Sequence, residues 1–334
     1  MNILIMSASR DVSLIRTLKK AFEKEGLGKI VAVDNSLYSA ALFEAEYFSY
    51  IPRDTDPNFL EELIKVCQKF QVKMIIPSRD EELTFFSKNI SKLKDKGINV
   101  LVASEKTIEI CRDKLGFFNF CRANGFNVPE IYTQEEVKDG RVKFPLFLNG
   151  RFSKGSKSAF KVNNQEQLEL HLKEEKEMII EEYVDAKEYS IDLFADIQGN
   201  IFSVVPRERI NTFGGESFVG KTFKNETIIT DSINLSKKLG LIGWNTLQCF
   251  FDGTKTKFIE VNARYGGGID LGLAADPNAA ASFAKILKGE KVASQIGEFK
   301  DNLVMIRYTQ DFFIEEEKLN WQEKNLREKK YDSA

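Results

Sequence analysis

The chain holds a single histidine, His171. It falls in QEQLELHLKEEKE, a charged amphipathic stretch that predicts a solvated helix face. Histidine triads and histidine metal sites are thereby excluded. Any chemistry must run on carboxylates, lysine, arginine, amides and bound ions. Cysteine is sparse too. Cys67, Cys111, Cys121 and Cys249 show no CxxC spacing, so neither a zinc site nor a disulfide framework is expected. They read as reduced thiols of a cytoplasmic protein. No apolar run reaches membrane-spanning length, and the opening MNILIMSASR turns polar too soon for a signal peptide. Nor is there an excess of basic charge. With 48 Lys and Arg against 50 Asp and Glu, the net charge of −2 gives no pull toward nucleic acid or an anionic membrane.

What is present is enough for two or three domains in 334 residues, with the 43% hydrophobic and 29% charged content of a soluble globular chain. Residues 2–6, 29–33, 72–76 and 100–102 read as strands, and 12–25, 59–70 and 80–93 as helices. Their alternation predicts a parallel sheet with crossover helices, a Rossmann-like unit. The first strand-to-helix loop, SASRDV, carries no GxGxxG, which argues against a dinucleotide or sugar-nucleotide site there. Residues 106–124 read as one helix, closed at Gly125 with Pro129 beyond. Strands at 144–149 and 159–162 flank GRFSKGSKS, residues 150–158. Its glycines, backbone N–H groups and lysines suit a phosphate cradle. A mobile polar hairpin loop is the competing reading.

A helix at 165–175 precedes a strand at 178–183 that ends in Glu181-Glu182-Tyr183-Val184. Strands at 189–195 and 201–206 turn at Gln198-Gly199-Asn200. The segment PRERINTFGGESFVGKT reads as a loop between strand and helix. In it Arg207 and Arg209 are candidates for a substrate carboxylate, and Glu216 for an amine. An ion-paired structural loop is an equal alternative. Helices follow at 227–239 and 274–287, and the tail from 316 is Lys- and Glu-rich.

The densest signal is NTLQCFFDGTKTKFIEVNARYGGG, residues 245–268. Asp252-Gly253 marks a hairpin turn. Period-two alternation puts Phe258, Glu260 and Asn262 on one face of the second strand, and Thr246, Gln248 and Phe250 on one face of the first. The turn brings Gln248 close to Glu260. One carboxylate and two amide carbonyls then converge as an oxygen-only cluster, suited to Mg²⁺ or Mn²⁺ completed by phosphate and water. Arg264 can reach an anionic group. The glycines at 266–268 imply close backbone approach or positive φ. Taken alone, an ordinary polar surface hairpin explains the pattern as well.

In order and spacing these features resemble the ATP-grasp ligases. The likeness is greatest to stand-alone relatives of the carbamoyl-phosphate synthase large subunit and to biotin carboxylase, and it covers roughly residues 1–310. CRDKLGFFNFCRANGFNVPE, FPLFLNGRFSKGSKSAFKV, IIEEYVDAKEYSIDLFADIQGN and the Gln248–Arg264 set carry it. The resemblance implies a mixed α/β and α+β chain. A Rossmann-like pre-ATP-grasp domain would span 1–105, a small ATP-grasp subdomain 106–185, a C-terminal subdomain with the metal site 186–315, and a charged tail 316–334.

It further implies that Lys114 contacts ATP phosphate and that the 150–158 loop, with Arg151 and Lys157, covers the phosphates. Glu181, Glu182, Tyr183 and Val184 would hold adenine, and Glu188 the ribose hydroxyls. Gln248, Glu260 and Asn262 would hold Mg²⁺, and Arg264 would act catalytically at the γ-phosphate. The implied reaction is ATP-dependent, ADP-forming ligation of a small-molecule carboxylate to an amine, with no nucleic-acid or membrane partner and a homodimer allowed. The chain departs from the family at Asn149, where a cation is usual. Loss of a charge-assisted phosphate contact costs about 1.5–3 kcal/mol unless it is replaced. Arg151, Lys154, Lys157 or Lys143 are the candidate replacements. A nucleotide-binding subunit or sensor with little turnover is the alternative function.

Overall fold

The apolar opening run forms β1 (Asn2–Ile5), buried from Ile3 onward. Helix α1 (Val12–Glu25) follows, with Leu14, Ile15, Leu18, Ala21 and Phe22 on its buried stripe. It stops where Gly26 takes a left-handed conformation, φ 63°. Then come β2 (Ile30–Asp34), α2 (Ala40–Glu44), β3 (Tyr47–Tyr50), α3 (Phe59–Lys69), β4 (Val72–Ile76), α4 (Asp80–Lys94) and β5 (Asn99–Val100). They build a five-stranded sheet in the order β3-β2-β1-β4-β5, in which every pairing is parallel. This is the Rossmann-like arrangement expected. β2 is buried at every position because helices cover both faces of such a sheet. Strand β3 and helix α2 were not expected. The YFSY of β3 lies at the sheet edge with both ends exposed, so it lacks an apolar signature.

The computed structural model describes residues 1–9, 11–153, 158–317 and 319. It separates into two compact units. One comprises Met1–Val102, Pro277–Ala293 and the described residues from Tyr308 on; the other comprises Ala103–Asp276 and Ser294–Arg307.

The second unit begins with α5 (Glu105–Arg112) and α6 (Lys114–Ala123). The single helix expected at 106–124 is therefore two. Asp113 leaves helical geometry (φ −102°, ψ 103°), and its carboxylate accepts from Leu115 N at 3.1 Å, capping α6. Next come β6 (Ile131–Tyr132), α7 (Gln134–Lys138), β7 (Leu146–Gly150), β8 (Ala159–Val162), α8 (Gln165–Glu174) and β9 (Met178–Glu182). The four strands pair antiparallel as β6-β9-β7-β8, over a core of Val137, Leu146, Leu148, Val162, Leu168 and Ile180.

The chain continues through β10 (Lys187–Ala195), β11 (Ile201–Phe213), β12 (Glu216–Thr222), α9 (Glu226–Leu239), β13 (Gly243–Phe251), β14 (Thr256–Asn262) and α10 (Ile269–Ala275). The segment expected as a loop after Pro206 is instead the hairpin β11–β12. Its turn is Gly214-Gly215, at φ 57° and 79°. Helix α11 (Pro277–Leu287) returns to the first unit, and β15 (Val304–Ile306) to the second. The helix expected at 274–287 is broken by Pro277, which opens α11. The larger sheet runs β14-β13-β10-β11-β12-β15, all antiparallel. No helix among the described residues is long and apolar enough to cross a membrane. The expected tail at 316–334 lies outside the described residues except for 316, 317 and 319.

Candidate active site

Strands β13 and β14 set the site. Gln248 is the cross-strand partner of Glu260, and Thr246 that of Asn262. The register shifts between Gln248 and Cys249, because Ile259 is an extra residue in β14. That bulge corrects the simple alternation. Phe258 pairs with Cys249 and is fully buried against Phe126, so it does not share the face of Glu260. Asn262 Nδ2 lies 3.4 Å from Gln248 Oε1 and 3.5 Å from Glu260 Oε1. Gln248 Nε2 donates to Glu188 Oε1 at 2.9 Å. Among the described residues no group of three His, Cys, Asp or Glu could hold a metal. The set is one carboxylate and two amides. All-oxygen donors fit a hard divalent cation, and so few charges make its binding depend on phosphate oxygens.

A cavity of about 460 Å³ opens beside this face. Strand β7 gives it Phe147 and Asn149, which alternation places together, with Leu146 and Leu148 turned into the core. Helix α6 gives Lys114, and the end of β9 gives Glu181 and Glu182, followed by Tyr183 and Val184. Glu188, Arg209, Gln248, Phe250, Ile259 and Glu260 continue the wall. Lys114 Nζ donates to the carbonyls of Ser153 (2.6 Å) and Gly150 (3.3 Å) and stands 3.9 Å from Glu260 Oε2.

Glu181 is 2% exposed. Burial pushes its carboxyl up to about 8; the Lys114 charge and a hydrogen bond from Asn149 pull it down, and Glu260 pushes it up. Its Oε1 finds no hydrogen-bond partner in the protein. Glu188 is raised as well, by burial first, against the pull of Arg209 at 2.9 Å and of Gln248. Glu182 turns to Lys257, whose Nζ donates to both its oxygens at 2.7 and 2.6 Å.

Other residues singled out from the sequence stand elsewhere. Arg151 does not face the cavity. Its Nε and Nη2 donate to the two oxygens of Asp113 at 2.7 and 2.6 Å, holding the cap of α6. It is thus no replacement for a cation at 149. Lys157 lies outside the described residues. Arg207 is 2% exposed and donates to Asp192 (2.8 and 3.1 Å) and to Ser217 Oγ (3.1 Å). This buried pair corrects its reading as a substrate contact. Gly268 is accounted for by the same arginine: at φ −98° it needs no left-handed freedom, but a Cβ would collide with the Arg207 guanidinium. Glu216 pairs with Arg307 at 2.8 Å, and Arg264 Nη1 donates to Tyr265 O at 2.7 Å; neither lines the cavity. Asn262 reaches the wall only through Gln248 and Glu260. Phe147 and Lys257 were missed. Phe147 was legible from its place two residues before Asn149 on a strand. Lys257 was not, since its partner Glu182 is distant in sequence.

Residues 3–101 match the PylC-like N-terminal domain family, and residues 174–311 match the family described as ATP-grasp in the biosynthetic pathway with Ter operon. The chain has an ATP-grasp fold. Among solved structures, a biotin carboxylase–β,γ-ATP complex from Campylobacter jejuni superposes with a TM-score of 0.70 at 17% identity, over 90% of this chain and 74% of that one. An N5-carboxyaminoimidazole synthetase from Staphylococcus aureus, complexed with ADP, gives 0.68 at 18%, over 88% and 78%. An L-amino acid ligase from Bacillus licheniformis gives 0.65 at 19%, over 86% and 74%. At such identity these neighbours speak for the ATP-grasp fold. No curated protein matches the sequence.

Proposed function

We propose that the chain binds ATP in the 460 Å³ cavity and ligates a small-molecule carboxylate to an amine, releasing ADP and phosphate. One observation carries this reading: Lys114, the Glu181–Val184 run, Glu188 and the Gln248–Glu260 pair meet around a single cavity in an ATP-grasp chain. The named neighbours support it, since one is a ligase of amino acids and two were solved with an ATP analogue or ADP. A carbamoyl-phosphate synthase-like reaction is the narrower form of the same proposal and rests on the ordered set of segments that carries the family resemblance.

In this reading a carboxylate oxygen attacks the γ-phosphorus, and ADP leaves with the bond electrons. The amine then attacks the acyl carbon, phosphate departs, and the amine proton goes to solvent. Lys114, pinned by two carbonyls, offsets phosphate charge without reorganising. Glu188 accepts ribose hydroxyls. Gln248, Glu260 and Asn262 would hold Mg²⁺, which supplies charge neutralisation at the phosphates when bound. Arg264 stands outside the cavity wall, so its role at the γ-phosphate requires it to leave the Tyr265 carbonyl. No step needs a histidine. Cysteines that form no disulfide suit a reducing, cytoplasmic setting.

The test is to incubate the protein with ATP, Mg²⁺ and a panel of amino acids and carboxylic acids, then separate the nucleotides. ADP with phosphate is expected, and AMP with pyrophosphate would refute the class. Glu260→Ala should abolish Mg²⁺-dependent ATP binding in calorimetry, because Glu260 is the one carboxylate of the set. A neutral Asn149 favours a second reading, a nucleotide-binding subunit with little turnover. Tight ATP binding with no ADP released across the panel would select it.

A further inference from the structure

Lys114 reaches the cavity on a long, flexible side chain, so its ammonium stays in place only where something holds it. The residue opens α6 and is 7% exposed. Its Nζ donates to the carbonyls of Gly150 and Ser153 and stands 3.9 Å from Glu260 Oε2. Both carbonyls belong to the turn after β7. Gly150 O also accepts from Ser153 N at 3.1 Å and from Ser153 Oγ at 2.9 Å, and Gly150 N donates to Ser158 O at 2.8 Å.

Arg151 sits inside that turn and binds the start of α6 at two levels. Its carbonyl accepts from Lys114 N at 3.2 Å, while its own N–H donates to Glu177 O at 2.9 Å. Its guanidinium crosses to the preceding helix residue, where Nε and Nη2 donate to the two oxygens of Asp113 at 2.7 and 2.6 Å. Main chain is tied to main chain and side chain to side chain, with Lys114 Nζ on the carbonyls of residues 150 and 153. Asp113 has a second task. It accepts from Leu115 N at 3.1 Å and from the Gly116 amide, capping the helix that carries Lys114. The hydrogen bonds from Arg151, first among the causes, hold this carboxyl below its ordinary range. Neither Arg151 nor Asp113 lines the cavity; Lys114 does. A planar fork on both carboxylate oxygens fixes angle as well as distance, and the compact ammonium of a lysine does not.

We propose that Arg151 is a positioning residue of the nucleotide site: through its fork on Asp113 and its carbonyl on the Lys114 amide, it fixes the Lys114 ammonium where phosphate binds, without touching the phosphate. This rests on the nucleotide cavity proposed above. It gives the loop arginine a task other than covering the phosphates.

The experiment is calorimetry on the full chain with Mg²⁺ and two ligands, ATP and adenosine. Arg151→Ala should weaken ATP about tenfold and leave adenosine unchanged. In a Lys114→Ala background the same change should cost nothing more, because the ammonium it positions is gone. Asp113→Asn decides by its sign. Asparagine still caps the helix, and removing a negative charge near the phosphates would by itself tighten ATP. Loss of the charged fork should instead weaken ATP about as much as Arg151→Ala does. Arg151→Lys, which keeps the charge without the fork, should recover little. Tighter or unchanged ATP binding in Asp113→Asn overturns the inference while leaving the nucleotide site intact. So does a full tenfold loss from Arg151→Ala in the Lys114→Ala background, which would put Arg151 itself on the phosphates. An equal loss for adenosine overturns it too, as general damage to the site. Failure of the unmodified protein to bind ATP at all overturns the functional reading and this inference together. Should Arg151→Ala not fold, Asp113→Asn still decides.

Discussion

At the residue scale, the site is governed by which charges have partners. Arg207 and Arg209 are two apart on β11, and nothing in their local sequence separates them. Arg207 is buried on Asp192 and Ser217; Arg209 lines the cavity against Glu188. The difference lies in what packs above each, and that comes from residues far along the chain, Gly268 over Arg207 among them. The Gln248–Glu260 pair of the hairpin was legible because strand alternation is local. Arg151 was not, since its partner Asp113 lies in another element. The buried carboxyl of Glu181 makes stability depend on pH. Its folded pKa of about 8 lies above the ordinary 4.5, so the folded state binds this proton more tightly than the unfolded chain. The cost of the buried charge is absent below 4.5, grows as pH rises, and is complete above 8. In thermal melts without nucleotide, Glu181→Gln should match the unmodified protein at about pH 4 and melt a few degrees higher at about pH 8. An equal difference at both pH values would show that ionisation is not the cause.

At the element scale, strands and helices with clean periodicity were read well, and those whose pattern serves partners were not. Helix α1 matches its expected limits, and β4 does too. Strand β11 runs from Ile201 to Phe213, well past its expected end at Pro206 and through Arg-Glu-Arg, because Asp192 and Glu188 on β10 satisfy the arginines of one face. The α5–α6 break lacks Gly or Pro and depends on the capping carboxylate of Asp113. The bulge at Ile259 has a sharper consequence. Removing a bulged residue leaves Phe258 on Cys249 and Glu260 on Gln248, so each keeps its side. Removing Val261 makes Glu260 and Asn262 adjacent, and adjacent strand residues face opposite ways. Deletion of Ile259 should therefore retain a cooperative melt and Mg²⁺-dependent nucleotide binding, weakened by loss of an apolar wall. Deletion of Val261 should abolish that binding. If calorimetry finds the two deletions equally damaging, the register argument fails.

At the scale of the whole molecule, neither unit is one stretch of chain. The first takes back 277–293 after the second has been largely built, and the second then takes back 294–307. Pro277, Gly289 and Gly297 punctuate the chain near these returns, but a turn signal says where an element ends and not which unit the next one joins. The first return is structural. Phe22 of α1 packs against Phe283 of α11 with ring centroids 6.2 Å apart, and Glu25 at the end of α1 meets Lys288 at 3.5 Å and Lys285 at 4.0 Å. Ala279, Ala280, Phe283 and Ala284 are all buried on that helix. A fragment ending at residue 102 would leave Phe22 and its neighbours on α1 exposed to water, an apolar patch that favours self-association. The surface ion pairs add little; burial of the apolar stripe contributes more. The 1–102 fragment should therefore melt without a sharp transition and sediment as aggregates. The same fragment joined to residues 277–293 by a flexible linker should regain a cooperative melt as a monomer. A sharp, monomeric transition for 1–102 alone would mean that α11 is an accessory to that unit and that its sheet is sufficient.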